Sequence, residues 1–151
     1  LKWINRGLCA ETGIEDHFAS VALVDYNPLT REARLSTSGI NPVLVYTAKT
    51  DDVSQLSKQN EPLGVEKTSD FADELLQLER GDILVTCTDG LLECLSESGV
   101  QYSTARLMQV IKTNRELSGA EIAERVKADV QLHSGTAQQY DDQSLLIIKI
   151  R

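Results

Sequence analysis

Residues 81–93 read GDILVTCTDGLLE. Within them Ile83–Cys87 is a short apolar run of strand-forming residues. It is bounded by Gly81-Asp82 in front and Asp89-Gly90 behind, the pattern of a buried strand. After Thr88-Asp89-Gly90, the residues Leu91, Leu92, Glu93, Cys94 and Leu95 no longer alternate and read as the first turns of a helix. A carboxylate at the C-terminal end of a buried strand is held by a rigid element while facing a cleft, which is what a metal or catalytic site needs. Asp89 is therefore the first candidate. Its other reading is a turn former, because Asp-Gly is a common turn pair.

Working outward, a second acidic stretch stands near the C-terminus. Tyr140-Asp141-Asp142-Gln143 precedes residues 144–150, SLLIIKI. That run is apolar on both faces and is expected as a central strand. If it pairs antiparallel with Ile83–Cys87, its N-terminal end lies beside the C-terminal end of the first strand, and Asp141 meets Asp89. The alternative is a solvated acidic turn.

Two further motifs lie between these ends, Ser38-Gly39-Ile40-Asn41-Pro42 and Pro62-Leu63-Gly64. In this order and spacing the four resemble the bacterial metal-dependent serine/threonine phosphatases of the sporulation stage II protein E type, within the PPM superfamily. The resemblance covers the chain from about Phe18 onward. It implies an α+β fold, an antiparallel β-sandwich flanked by helices. The family's upstream Gly-Asp-Val-Ser-Gly-His-Gly-like motif, whose aspartate bridges both metals, does not occur in the 151 residues. The chain is accordingly expected to be the C-terminal portion of one phosphatase domain, incomplete at its N-terminal side and weak or inactive alone.

The resemblance also implies chemistry. Two oxygen-ligated ions, Mn²⁺ or Mg²⁺, activate a water that attacks phosphoserine or phosphothreonine in line, with no covalent enzyme intermediate. Motif by motif, Asp89 and Asp141 carry over as metal ligands. Gly90 and Asp142 carry over with a supporting role at most, Glu93 as a surface, supporting or coordinating residue, and Asn41 either as a residue facing the cleft or as a turn residue before Pro42. Ile40 stands where the family usually has histidine and reads as packing. The implied partner is a phosphoserine-bearing regulatory protein, such as an anti-sigma-factor antagonist, and an upstream sensor or receiver domain is expected. The competing reading is a phosphatase-like scaffold that binds a signalling partner without hydrolysis. A truncated sheet would expose strand edges and invite homodimerisation.

Composition narrows the classes. A chain of 151 residues with 41% apolar content suits one globular domain with a real core. A formal charge of -8 argues against nucleic acid as a partner, whereas acidic clusters suit bound cations. No apolar run is long enough for a membrane span and no signal-like segment opens the chain, so a cytosolic protein is expected. Cys9, Cys87 and Cys94 lack C-x-x-C spacing and read as buried thiols. His17 and His133 lie outside any motif and read as structural, which leaves a histidine triad or zinc site unsupported.

The remaining segments follow from pattern. Residues 1–11 carry Leu1, Ile4 and Leu8 at helical spacing, with Trp3 near that face and Gly13 as a stop. Residues 18–26 and 31–37 form a hairpin about Asn27-Pro28-Leu29-Thr30. Val43–Thr47 is a strand, 48–61 a loop or irregular hairpin tip, and 71–78 another strand. Thr104–Thr113 is a helix with Leu107, Val110 and Ile111 on one face. Ser118-Gly119-Ala120-Glu121 is a capping box opening a helix whose apolar stripe is Ile122, Val126 and Val130.

Overall fold

The structure, a computed structural model, describes residues 1–11, 18–40, 42–57 and 60–151. Its elements begin with α1 (Lys2–Glu11), β1 (Val21–Asn27), β2 (Glu32–Ser38), β3 (Val43–Thr47) and β4 (Asp52–Gln55). They continue with β5 (Glu74–Gln77), β6 (Ile83–Cys87), α2 (Asp89–Leu92), α3 (Thr104–Thr113), α4 (Gly119–Ser134) and β7 (Leu145–Lys149). The chain divides into two compact units, Leu1–Ile40 with Ser57–Leu78, and Asn41–Leu56 with Glu79–Arg151.

The first unit is an antiparallel sheet of order β1-β2-β5 together with α1. The β1–β2 hairpin turns where expected, because the Asn27 side-chain oxygen accepts from the backbone N–H groups of Leu29 (2.9 Å) and Thr30 (3.3 Å). The N-terminal helix forms as its periodicity predicts, but the expected apolar face is not the buried one. Trp3 is 86% exposed and Ile4 43%, while Asn5 is fully buried. The reason is polar. Asn5 donates to the Glu66 carbonyl (2.8 Å) and accepts from the Gly64 N–H (2.8 Å), so its amide replaces water for two loop groups. Gly39 has φ +64, and a Cβ there would stand 2.7 Å from Ser20 Oγ, so the residue before Ile40 has to be glycine.

The second unit holds both acidic stretches. Its antiparallel sheet runs β4-β3-β6-β7, and one face carries α3 and α4. Leu44, Tyr46, Ile83, Val85 and Cys87 pack with Leu107 and Ile111 of α3 and with Ile122, Val126 and Val130 of α4. Complete burial of each such aliphatic chain stabilises the unit by about 1.5–3 kcal/mol. The capping box opens α4 as its motif predicts: the Glu121 N–H donates to Ser118 Oγ, and the Ser118 N–H donates to the Glu121 carboxylate. Asp82, read as half of a turn, is 3% exposed, and its carboxylate accepts from the N–H groups of Ala48 and Glu79, both at 2.8 Å.

Two expectations are corrected here. The polar stretch 48–61 does hold a hairpin tip, but it also contains a strand, β4, of which only Val53 is buried. Pairing with β3 supplies what its own pattern lacks. Second, β7 is not central. Among the described residues it is the border strand of its sheet, bonded on one side to β6. Its apolar run does not report full burial either: none of Leu145–Lys149 is fully buried, and Leu146 is 46% exposed. No helix among the described residues is long and apolar enough to cross a membrane.

Candidate functional site

The pairing of β6 with β7 brings the two acidic stretches together. The strands are antiparallel with Cys87 opposite Leu145, so the chain leaving β6 runs beside the chain entering β7. Asp89 is the first residue of α2 and is exposed. Asp141 and Asp142 lie in the segment before β7, also exposed. A Cβ added at Gly90 would sit 2.6 Å from the Asp142 carbonyl oxygen and 3.0 Å from Asp141 Cβ. Only a residue without a side chain admits the acidic segment at this distance. The close approach accounts for the glycine after Asp89 without recourse to turn geometry.

Thr88 ties the same two segments. Its hydroxyl donates to the Asp142 carbonyl (2.9 Å) and accepts from the Ser144 N–H (2.9 Å), while its own N–H donates to the Ser144 carbonyl (3.1 Å). Upstream, Gln139 donates to the Asp141 carbonyl (2.8 Å), and the Asp142 N–H donates to the Asp141 carboxylate (2.7 Å). A recess of about 250 Å³ is lined in part by Gly90, Glu93, Gln139, Tyr140 and Asp141. Glu93 therefore shares a concavity with Asp141, while Asp89 and Asp142 are not among its walls. Asn41 lies outside the described residues.

The electrostatics follow from placement. Among the described residues neither Asp89 nor Asp141 pairs with a lysine or arginine. Burial pushes the Cys87 thiol up to about 12, and the charge of Asp89 adds to the effect. Cys87 is thus an inert core thiol. Cys9 and Cys94 are half-buried, and all three cysteines are free. Among the described residues no three His, Cys, Asp or Glu side chains are placed to hold a metal ion. Carboxylate oxygens such as those of Asp89 and Asp141 are the donor type that a hard divalent cation takes.

His133, in the last turn of α4, is held by polar contacts. Arg106 binds Asp129 through two nitrogens (2.8 and 3.0 Å), and Tyr102 donates to the same carboxylate (2.8 Å). A third Arg106 nitrogen lies 3.0 Å from His133 Nδ1, and His133 Nε2 lies 2.9 Å from the Val100 carbonyl. Guanidinium only donates, so Nδ1 accepts and Nε2 carries the proton. His17 lies outside the described residues.

The sequence profile of the family described as Stage II sporulation protein E (SpoIIE) matches residues 1–151. The chain belongs to this family. Among SpoIIE relatives, it is 24% identical over 132 residues to Phosphoserine phosphatase RsbU of Bacillus subtilis (strain 168), covering 87% of this chain and 39% of that protein. The Mn-presoaked structure of the phosphatase domain of SpoIIE from Bacillus subtilis superposes with a TM-score of 0.68 at 18% identity, covering 87% of this chain and 56% of that one. The SiaA-PP2C domain of Pseudomonas aeruginosa superposes with a TM-score of 0.70 at 20% identity, covering 81% and 48% respectively. At such identities the likeness establishes the fold: antiparallel sheets with helices, the α+β architecture of the PP2C phosphatase domains. The chain spans about two-fifths of the length of RsbU.

Sequence reasoning expected Asp89 beside Asp141 through antiparallel pairing of the two strands; the pairing forms, and the close approach it brings about is between Gly90 and the Asp141–Asp142 backbone. Sequence reasoning passed over Thr88. The available signal was a hydroxyl residue at the last position before Asp-Gly, where a strand ends and a helix begins.

Proposed function

We propose that this SpoIIE-family chain belongs to a metal-dependent protein serine/threonine phosphatase. Its substrate is phosphoserine or phosphothreonine on a regulatory protein of the anti-sigma-factor-antagonist kind. The observation that carries the reading is the approach of the Asp141–Asp142 backbone to Gly90, which joins two acidic segments at the end of a fully buried strand. Family membership and the phosphoserine phosphatase activity named for RsbU support it.

Asp89 and Asp141 are the residues that would hold Mn²⁺ or Mg²⁺, through carboxylate oxygens that lack a cationic side-chain partner among the described residues. Bound there, the ions supply a more acidic water and neutralise phosphoryl oxygens. Gly90 leaves room for the acidic segment. Glu93 and Asp142 add negative potential that favours divalent cations over an unaccompanied phosphate.

A second reading, a scaffold that binds its partner without hydrolysis, is favoured by the lack of a three-carboxylate cluster among the described residues. The two separate on one assay. Hydrolysis of a phosphoserine peptide is followed against Mn²⁺ concentration for this chain and for the chain extended upstream, each with and without Asp89→Asn or Asp141→Asn. Mn²⁺-dependent turnover lost in both variants is the expected result. Folded protein with no turnover in any form, and tight metal-independent binding to a partner, would establish the scaffold.

A further inference from the structure

We infer that Thr88 is a positioning residue, whose hydroxyl sets the Asp141–Asp142 segment against Asp89; the inference rests on the metal-site reading above. Thr88 occupies the N-cap of α2 in extended conformation, φ -79 and ψ 157, and threonine is among the residues favoured there. A capping hydroxyl ordinarily accepts from an N–H in its own helix, yet Thr88 makes no such bond. Its oxygen is turned outward instead, where it accepts from the Ser144 N–H and donates to the Asp142 carbonyl, both at 2.9 Å.

Helix α2 thus forgoes the usual capping contact. What the hydroxyl secures is the strand ladder one step past its last residue pair, Cys87 with Leu145. One atom acts as donor and acceptor to two backbone groups on either side of Gln143, so it restrains both the direction and the distance of the segment carrying Asp141. The same Asp142 carbonyl oxygen that accepts from the Thr88 hydroxyl would lie 2.6 Å from a Cβ at Gly90. Residues that orient metal-binding groups without touching the metal typically change affinity 10–100-fold when altered.

The test compares native protein with Thr88→Val and Thr88→Ser, and with Asp89→Asn and Asp141→Asn, by Mn²⁺ titration monitored through electron paramagnetic resonance. Valine keeps the shape and removes both hydrogen bonds; serine keeps both. Mn²⁺ binding at least tenfold weaker in Thr88→Val and within about twofold of native in Thr88→Ser is expected. Loss in the two aspartate variants with native binding in Thr88→Val overturns the positioning role alone. Native binding in both aspartate variants overturns the metal site and the positioning role with it. If Thr88→Val does not fold, amide exchange in the native protein decides. Ser144 is exposed, yet its N–H is held by Thr88, so slow exchange is expected and unprotected exchange overturns the inference.

Discussion

Replacing Gly90 by alanine tests the apposition on which the site depends. The added Cβ meets the Asp142 carbonyl oxygen at 2.6 Å, about 0.8 Å short of ordinary contact at 3.4 Å, and the obstacle is backbone with no rotamer to change. Two effects compete. Alanine in a helix is favoured over glycine by about 1 kcal/mol, and less than that in a four-residue helix such as α2. Overpacking against backbone costs about 1–3 kcal/mol. The clash should win, leaving Gly90→Ala about 1–2 kcal/mol less stable, which at ordinary urea dependence lowers the midpoint by about 0.5–1 M. The acidic segment relieves part of the clash by moving several tenths of an ångström. Displacements approaching 1 Å at a reacting centre cost up to about 100-fold in rate, so Mn²⁺-dependent turnover should fall about 10- to 100-fold. Urea unfolding and phosphopeptide hydrolysis measure the two parts. A variant as stable as native protein, with unchanged Mn²⁺ dependence, would refute the claim that this approach shapes the site.

Other outcomes follow from single residues. Thr86 is 7% exposed and its hydroxyl lacks a hydrogen-bond partner among the described residues. Thr86→Val should therefore leave stability unchanged or raise it by up to about 2 kcal/mol; a loss above about 1 kcal/mol in urea unfolding would mean the hydroxyl is satisfied in solution. Ser118→Ala breaks the reciprocal cap of α4 and should lower stability by about 1 kcal/mol, measured by the same method. Arg106, above all, and Tyr102 hold the Asp129 carboxyl below its ordinary range. A lowered carboxylate pKa stabilises the fold above the unfolded value of about 3.9, and that contribution disappears as pH falls through the folded value. Urea midpoints should therefore drop between pH 4 and pH 3 in native protein and change less in Asp129→Asn.

What was legible in the sequence was what local pattern determines. Ile83–Cys87, Val43–Thr47 and Thr104–Thr113 carry their own period and boundaries, and each forms over the residues expected. The meeting of the two acidic stretches needed one further step, antiparallel pairing, which two flanking apolar runs suggested. Legibility ended where a neighbour decides. Asp52–Gln55 is a strand because β3 lies beside it, and its composition carries no strand signal. Asn5 is buried because two loop backbone groups need its amide, against a periodicity that favours Ile4. The border position of β7 depends on strand order, which no single strand encodes. Thr88 was passed over because its partners are 54 and 56 positions away.

The placement of β7 at the border bears on the order in which the molecule assembles. The contacts that join the two acidic segments span 56 positions, from Thr88 to Ser144, and closing a loop of that length costs about 3.5 kcal/mol in chain entropy. Helices α3 and α4 lie inside this loop and form from local contacts, so they precede the closure and shorten it. A border strand held on one side is also the first to detach when a sheet opens partially. Departure of β7 would take the Asp141–Asp142 segment away from Thr88 and Gly90, so the acidic segment keeps its place only while β6 and β7 stay paired.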